Sequence, residues 1–205
     1  MTPFNPLNKR NLGESVAREL LAKPVEQLSP KAFVGAGVYA IYYTGEHQPY
    51  QPYDPIAYHN QELETAIPIY VGKAVPQGAR VGGLGLDAPP GNVLFIRLRE
   101  HAESINQARN LNLQDFRCRY LTVDDIWIPL AESVLISMFR PIWNTTVAGF
   151  GNHQQGGNRS NQRRSRWDVL HPGRPWAATL QPNIRTEEEI KELVLQALIA
   201  RASEQ

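Results

Sequence analysis

The chain has 205 residues, a formal net charge of +1, 42% hydrophobic residues and one cysteine, Cys118. That length suits a single domain with terminal additions and a sizeable core, while one cysteine excludes an internal disulfide framework or a zinc–thiolate site. No apolar run is long enough to span a membrane, and the N-terminus MTPFNPLNKR lacks the apolar stretch of a signal peptide, so a cytoplasmic protein is expected.

The stretch 11–22, NLGESVARELLA, predicts an amphipathic helix. Asn11 and Glu14 form its capping-box pattern, Val16, Leu20 and Leu21 its apolar edge, and Pro24 its end. It is expected to pack or to form a dimer surface. Residues 35–45, GAGVYAIYYTG, and 67–74, IPIYVGKA, are short runs of β-branched and aromatic residues bounded by Gly or Pro, and predict two paired strands. Each sets a tyrosine beside a glycine: Gly37-Val38-Tyr39 in the first, Tyr70-Val71-Gly72 in the second. Between them, 44–66 reads as a long polar loop. Its Tyr50, Tyr53 and Tyr58 either stack on a partner or staple the loop.

A second loop, 75–92, rich in Gly and Pro, precedes a helix predicted over 93–109. Leu94, Leu98, Ala102 and Ile105 make its core stripe. Arg97 and His101, four residues apart, share a face beside that stripe and emerge near the sheet. Residues 116–123, FRCRYLTV, alternate as a third strand, with Phe116, Cys118 and Tyr120 on one face and Arg117 and Arg119 on the other; Cys118 reads as a small buried core residue. A helix follows over 126–140, capped by Asp124 or Asp125, with Pro129 in its first turn and Pro141 at its end. Its body, LAESVLISMF, is apolar nearly all round, which predicts burial. Glu132 is the acid in it, and reads either as a carboxylate facing the helix N-terminus or as a metal ligand that needs a partner. Asn144 lies close by in sequence.

Between Glu132 and Asp168 there is no acid, while Arg140, Arg159, Arg163, Arg164 and Arg166 make the stretch strongly basic. It is a phosphate-binding candidate, or else a solvated loop. Thr186 and Glu189 form a capping box that opens a last helix with Ile190, Leu193, Val194, Ala197 and Leu198 on one face, expected to pack or dimerise.

In this order, a GVY strand, a YVG strand, an Arg/His helix, a strand and a helix with one Glu followed by Asn resemble the GIY-YIG nuclease superfamily, with Val in place of Ile in both halves. The strings GAGVYAIYYTG, PIYVGKAVP, RLREH, PIWNTTVAGFGNH and WDVLHPGRPWA are more closely similar to its Type II restriction endonuclease subgroup, over about 33–178. Two links are longer than in the minimal module: the one between GVY and YVG, and the loop before the helix.

The resemblance implies an α+β fold: a small mixed or antiparallel three-stranded sheet flanked by helices, with long DNA-gripping loop insertions and N- and C-terminal helices. One domain spans 1–205, with a core about 33–147, an N-terminal extension 1–32, and a basic loop and helix over 148–205. It also implies hydrolysis of DNA phosphodiesters with one Mg²⁺ per active site, held by Glu132. The motif tyrosines fall on Tyr39 and Tyr70, the arginine on Arg97, the histidine on His101, the asparagine on Asn144, and a basic position on Lys73. Tyr39 or His101 is then the general base, Arg97 neutralises the phosphoryl oxygens, Tyr70 orients water or phosphate, and Asn144 holds Glu132 or the backbone around it. Arg80, Arg159, Arg163 and Arg174 are the candidate base readers.

Double-stranded DNA, a second copy of the chain and a cognate DNA methyltransferase are the expected partners, in a prokaryotic cytoplasm, with a G·C-rich palindrome as the site. The alternatives are a repair- or homing-type GIY-YIG nuclease and a catalytically silent DNA-binding protein.

Overall fold

The computed structural model describes residues 5, 7–63, 66–76, 90–152 and 162–203. In chain order the elements are α1 (Lys9–Leu21), β1 (Glu26–Gln27), β2 (Gly37–Tyr43), α2 (Asp54–His59), β3 (Tyr70–Ala74), α3 (Val93–Gln107), β4 (Phe116–Thr122), α4 (Ile128–Phe139), α5 (Ile142–Thr145), α6 (Arg166–Leu170), α7 (Pro175–Ala178) and α8 (Glu187–Ala202). The strands form one antiparallel sheet in the order β1-β4-β2-β3. The expected three strands are there, and the two-residue β1 extends them at one edge.

Strand β2 is buried along its whole length because both of its faces are covered. On one face, Tyr39, Ile41 and Tyr43 meet Leu94, Leu98, Ala102 and Ile105 of α3, together with Trp143, Phe150, Trp167 and Ile190, Val194 and Leu198 of α8. On the other, Val38, Ala40 and Tyr42 meet Ala17 and Leu20 of α1 and Ile128, Ala131 and Leu135 of α4. The alternation of the strand thus sorts its side chains into two cores. Cys118 lies in the first core, where burial pushes its thiol up to about 12; it is a packing residue, as its surroundings in sequence predicted. Arg119, on the other face, is buried by donating to the Lys23 carbonyl, the Tyr42 hydroxyl and the Leu63 carbonyl.

Several local expectations change. Helix α1 starts earlier and is capped by Asn8, whose side chain accepts from the Arg10 amide. Glu14 pairs with Arg10 at 2.8 Å instead of closing a box with Asn11. The stretch 44–66 is not a plain loop: Pro52 and Pro55 sit in the first turns of a 3-10 turn, Gln51–Tyr53, and of α2. Asn60 stitches this insertion down, donating to the Tyr43 and Ile67 carbonyls and accepting from the Ile67 amide. Tyr50 and Tyr53 pack inward as staples, while Tyr58 stays 77% exposed.

Helix α4 is one-sided rather than buried all round. Among the described residues α1 and the sheet make its main contacts, and Met138 is 52% exposed. Its N-cap is Trp127, without a side-chain bond, because Asp124 and Asp125 lead into a 3-10 turn instead. The Thr186 capping box of α8 is present, with both reciprocal bonds formed. Among the described residues no helix is long and apolar enough to cross a membrane.

Candidate active site

The central strand carries the first site residue. Register places Gly72 of β3 directly opposite Tyr39, with Tyr70 opposite Ile41 on the same face. A Cβ at Gly72 would collide with the Tyr39 hydroxyl and crowd the Tyr70 ring, so only glycine lets the phenol lie across β3. The two phenol rings are 6.2 Å apart, centroid to centroid.

Helix α3 brings His101 to the same point. Its Nε2 is 2.6 Å from the Tyr39 hydroxyl oxygen, and both side chains are almost fully buried. The His101 ring stacks on Phe150 at 4.4 Å and meets the edge of Tyr70 at 5.2 Å. One helical turn earlier, Arg97 Nη2 donates to the Gly151 carbonyl at 2.9 Å and Nη1 to Glu100 at 3.2 Å.

Burial pushes the Tyr39 phenol well above its usual value, and neighbouring Tyr70 adds to the effect; the Arg97 charge and hydrogen bond pull the other way. Tyr70 is raised by burial too, again with Arg97 opposing. Both phenols therefore rest protonated at neutral pH. Tyr39 can accept a proton only as it gives up its own, and His101 Nε2 is placed to take it.

Lys73 Nζ and Glu132 Oε2 lie 2.7 Å apart at the rim, both partly exposed. Glu132 is less buried than its apolar helix predicted, and its partner is the neighbouring strand's lysine. Its charge still raises both phenols slightly. Among the described residues no group of three or more His, Cys, Asp or Glu side chains is arranged to hold a metal. A lone, accessible carboxylate does not suit zinc. It does suit Mg²⁺, which keeps most of its water and takes further ligands from substrate phosphates.

Asn144 makes its hydrogen bonds to β3. Its amide accepts from the Val71 N–H and donates to the Val71 carbonyl, both at 2.8 Å. This imitates a ladder rung on the open edge of β3, the strand that carries Tyr70, Gly72 and Lys73. Of the expected base readers, Arg80 and Arg159 lie outside the described residues. Arg163 is on the surface and donates to the Pro182 carbonyl.

Arg174, expected among the base readers on the surface, is instead buried, 2% exposed. Its Nε pairs with Asp168 at 2.7 Å, and its Nη atoms donate to the carbonyls of Gly149, Phe150 and Asn152. The guanidinium lies over the Trp167 and Trp176 rings, 4.4 and 4.7 Å from their centroids. Sequence reasoning also passed over Phe150 and Gly151, which touch the site directly. The signal was there in the apolar Phe set among polar and glycine residues.

A family model described as the Eco29kI GIY-YIG domain matches residues 31–198. The chain belongs to this family, a GIY-YIG nuclease of restriction-endonuclease type whose substrate is DNA. No curated protein matches the sequence.

Proposed function

We propose that the chain is a Type II restriction endonuclease that makes Mg²⁺-dependent double-strand cuts at a short G·C-rich palindrome. The observation that carries the chemistry is the buried 2.6 Å contact between Tyr39 and His101, set beside Arg97. Tyr39 takes the proton of the attacking water while passing its own to His101, so the two alternative bases act as one relay. Arg97 spreads positive charge over the phosphoryl oxygens, for which its planar fork is suited. Tyr70 orients water or phosphate, and Lys73 balances Glu132 until DNA arrives. Asn144 keeps β3, and hence Tyr70, in place. A Mg²⁺ ion held by Glu132 would supply Lewis-acid stabilisation of the leaving oxygen.

With one set of these residues per chain, a two-fold dimer would cut both strands of a palindrome, one strand per subunit. A partner methyltransferase would protect the host DNA in a prokaryotic cytoplasm. Arg163, with Arg80 and Arg159, remains a candidate to contact DNA.

The test is digestion of unmethylated plasmid of known sequence, with Mg²⁺ and with chelator. Discrete Mg²⁺-dependent fragments are expected, and their ends give the site. A smear or a nicked circle would point to a repair-type or nonspecific nuclease, and an intact plasmid to a silent DNA-binding protein.

A further inference from the structure

The segment 149–152 touches three site residues at once. Phe150 stacks flat on His101 and meets Tyr70 edge-on at 5.0 Å, and the Gly151 carbonyl accepts from Arg97 Nη2. Its backbone divides in two directions. The carbonyls of Gly149, Phe150 and Asn152 all accept from the buried Arg174 guanidinium. The remaining one, on Gly151, is turned to Arg97. Arg174 is itself anchored by Asp168, which accepts from Ser165 Oγ at 2.6 Å. A Cβ at Gly151 would stand 2.7 Å from the Tyr70 hydroxyl and 3.2 Å from Arg97 Nη2. Both atoms would have to move, and the Tyr70 ring is hemmed in by His101 and Phe150.

We propose that Gly151 is a positioning residue for phosphodiester hydrolysis: its carbonyl, aimed by Arg174, orients the Arg97 guanidinium, and its missing side chain leaves room for Arg97 and Tyr70 to converge. This rests on the role given to Arg97 under the proposed function. Gly151 touches no reacting atom; it acts through Arg97 and Tyr70. A merely structural segment would bury Phe150 equally well with any small residue at 151.

The test is Gly151→Ala in the full chain, assayed by single-turnover cleavage of a DNA fragment bearing the site. The backbone at 151 does not lie in the left-handed region, so alanine is compatible with the backbone conformation there. The Tyr70 hydroxyl and the guanidinium would have to give by a few tenths of an ångström, which predicts a loss of roughly tenfold in the cleavage step. DNA affinity should stay within about threefold, because the ground-state contacts remain. In an Arg97→Ala/Tyr70→Phe background, which lacks both atoms the new Cβ would meet, the same substitution should change the residual rate by less than about twofold, since residues acting as a unit are non-additive.

A second readout needs no cleavage: the Arg97 Nε–Hε NMR resonance, assigned by its loss in Arg97→Ala, should shift in Gly151→Ala. Wild-type cleavage by Gly151→Ala, or its full loss repeated on the Arg97→Ala/Tyr70→Phe background, overturns the proposal. If the parent protein itself leaves DNA intact, the proposed function has failed, and the NMR resonance alone then decides: a shift supports the positioning and an unmoved signal overturns it.

Discussion

Replacing Arg174 by Gln separates a base-reading arginine from a buried strut. The substitution removes the cation from a buried pair, leaves Asp168 with Ser165 as its remaining side-chain partner, and strips donors from three carbonyls. Breaking such a pair from one side costs about 3–5 kcal/mol, because the surviving charge stays buried. For a chain of this size that corresponds to a fall of roughly 10 °C in melting temperature. Urea unfolding followed by tryptophan fluorescence measures it. The double variant Arg174→Gln/Asp168→Asn should recover part of the loss, since the stranded carboxylate is then neutral. Under conditions where Arg174→Gln is still folded, cleavage should slow without any change in the sequence cut. A variant as stable as the parent but relaxed in sequence preference would refute this reasoning and return Arg174 to the DNA interface.

His171 gives a pH signature. Trp143 donates to the Tyr53 hydroxyl, which donates to His171 Nε2, and Nδ1–H donates to Asn110, so the ring is held neutral. Burial, with the Arg174 charge nearby, lowers its pKa from 6.5 to about 3. The folded state therefore binds fewer protons than the unfolded chain between these values. Stability is complete above the unfolded pKa and declines as pH falls, by about 2 kcal/mol at pH 5. Urea midpoints at pH 8 and pH 5 should differ less in His171→Gln, and an unchanged difference would remove His171 as the cause. Asn144→Ala should lower stability by about 1–3 kcal/mol by unpairing the Val71 backbone, and reduce cleavage because β3 carries Tyr70; equal melting temperatures would contradict that account. Tyr39→Phe should slow cleavage by roughly 10²–10⁴-fold by removing the relay hydroxyl; a protein that keeps most of its rate sinks the role of Tyr39. Glu132→Gln should abolish Mg²⁺-dependent cleavage while DNA binding in a gel-shift assay persists, and metal-dependent cleavage by the variant would move the metal elsewhere.

Strands β2, β3 and β4, the Leu94–Ile105 stripe of α3 and the Thr186 cap were legible in the chain because each depends on residues a few positions apart. Local period and capping chemistry settle those without tertiary help. The pairing of the GVY and YVG strands was legible in the same way, but the register that sets Gly72 opposite Tyr39 came from the structure. The partners of Asn144, Arg174 and Glu132 were not legible. Asn144 reaches Val71, 73 positions away, and a side-chain amide can mimic a strand only once an open edge is beside it. Arg174 looked like a surface cation because nothing in its neighbours announces three inward-turned carbonyls around residue 150. Composition and periodicity determined which residues form strands and helices. Only tertiary packing decided which charges are buried and which carbonyls face the site, because desolvation and hydrogen bonding depend on what the distant chain brings alongside.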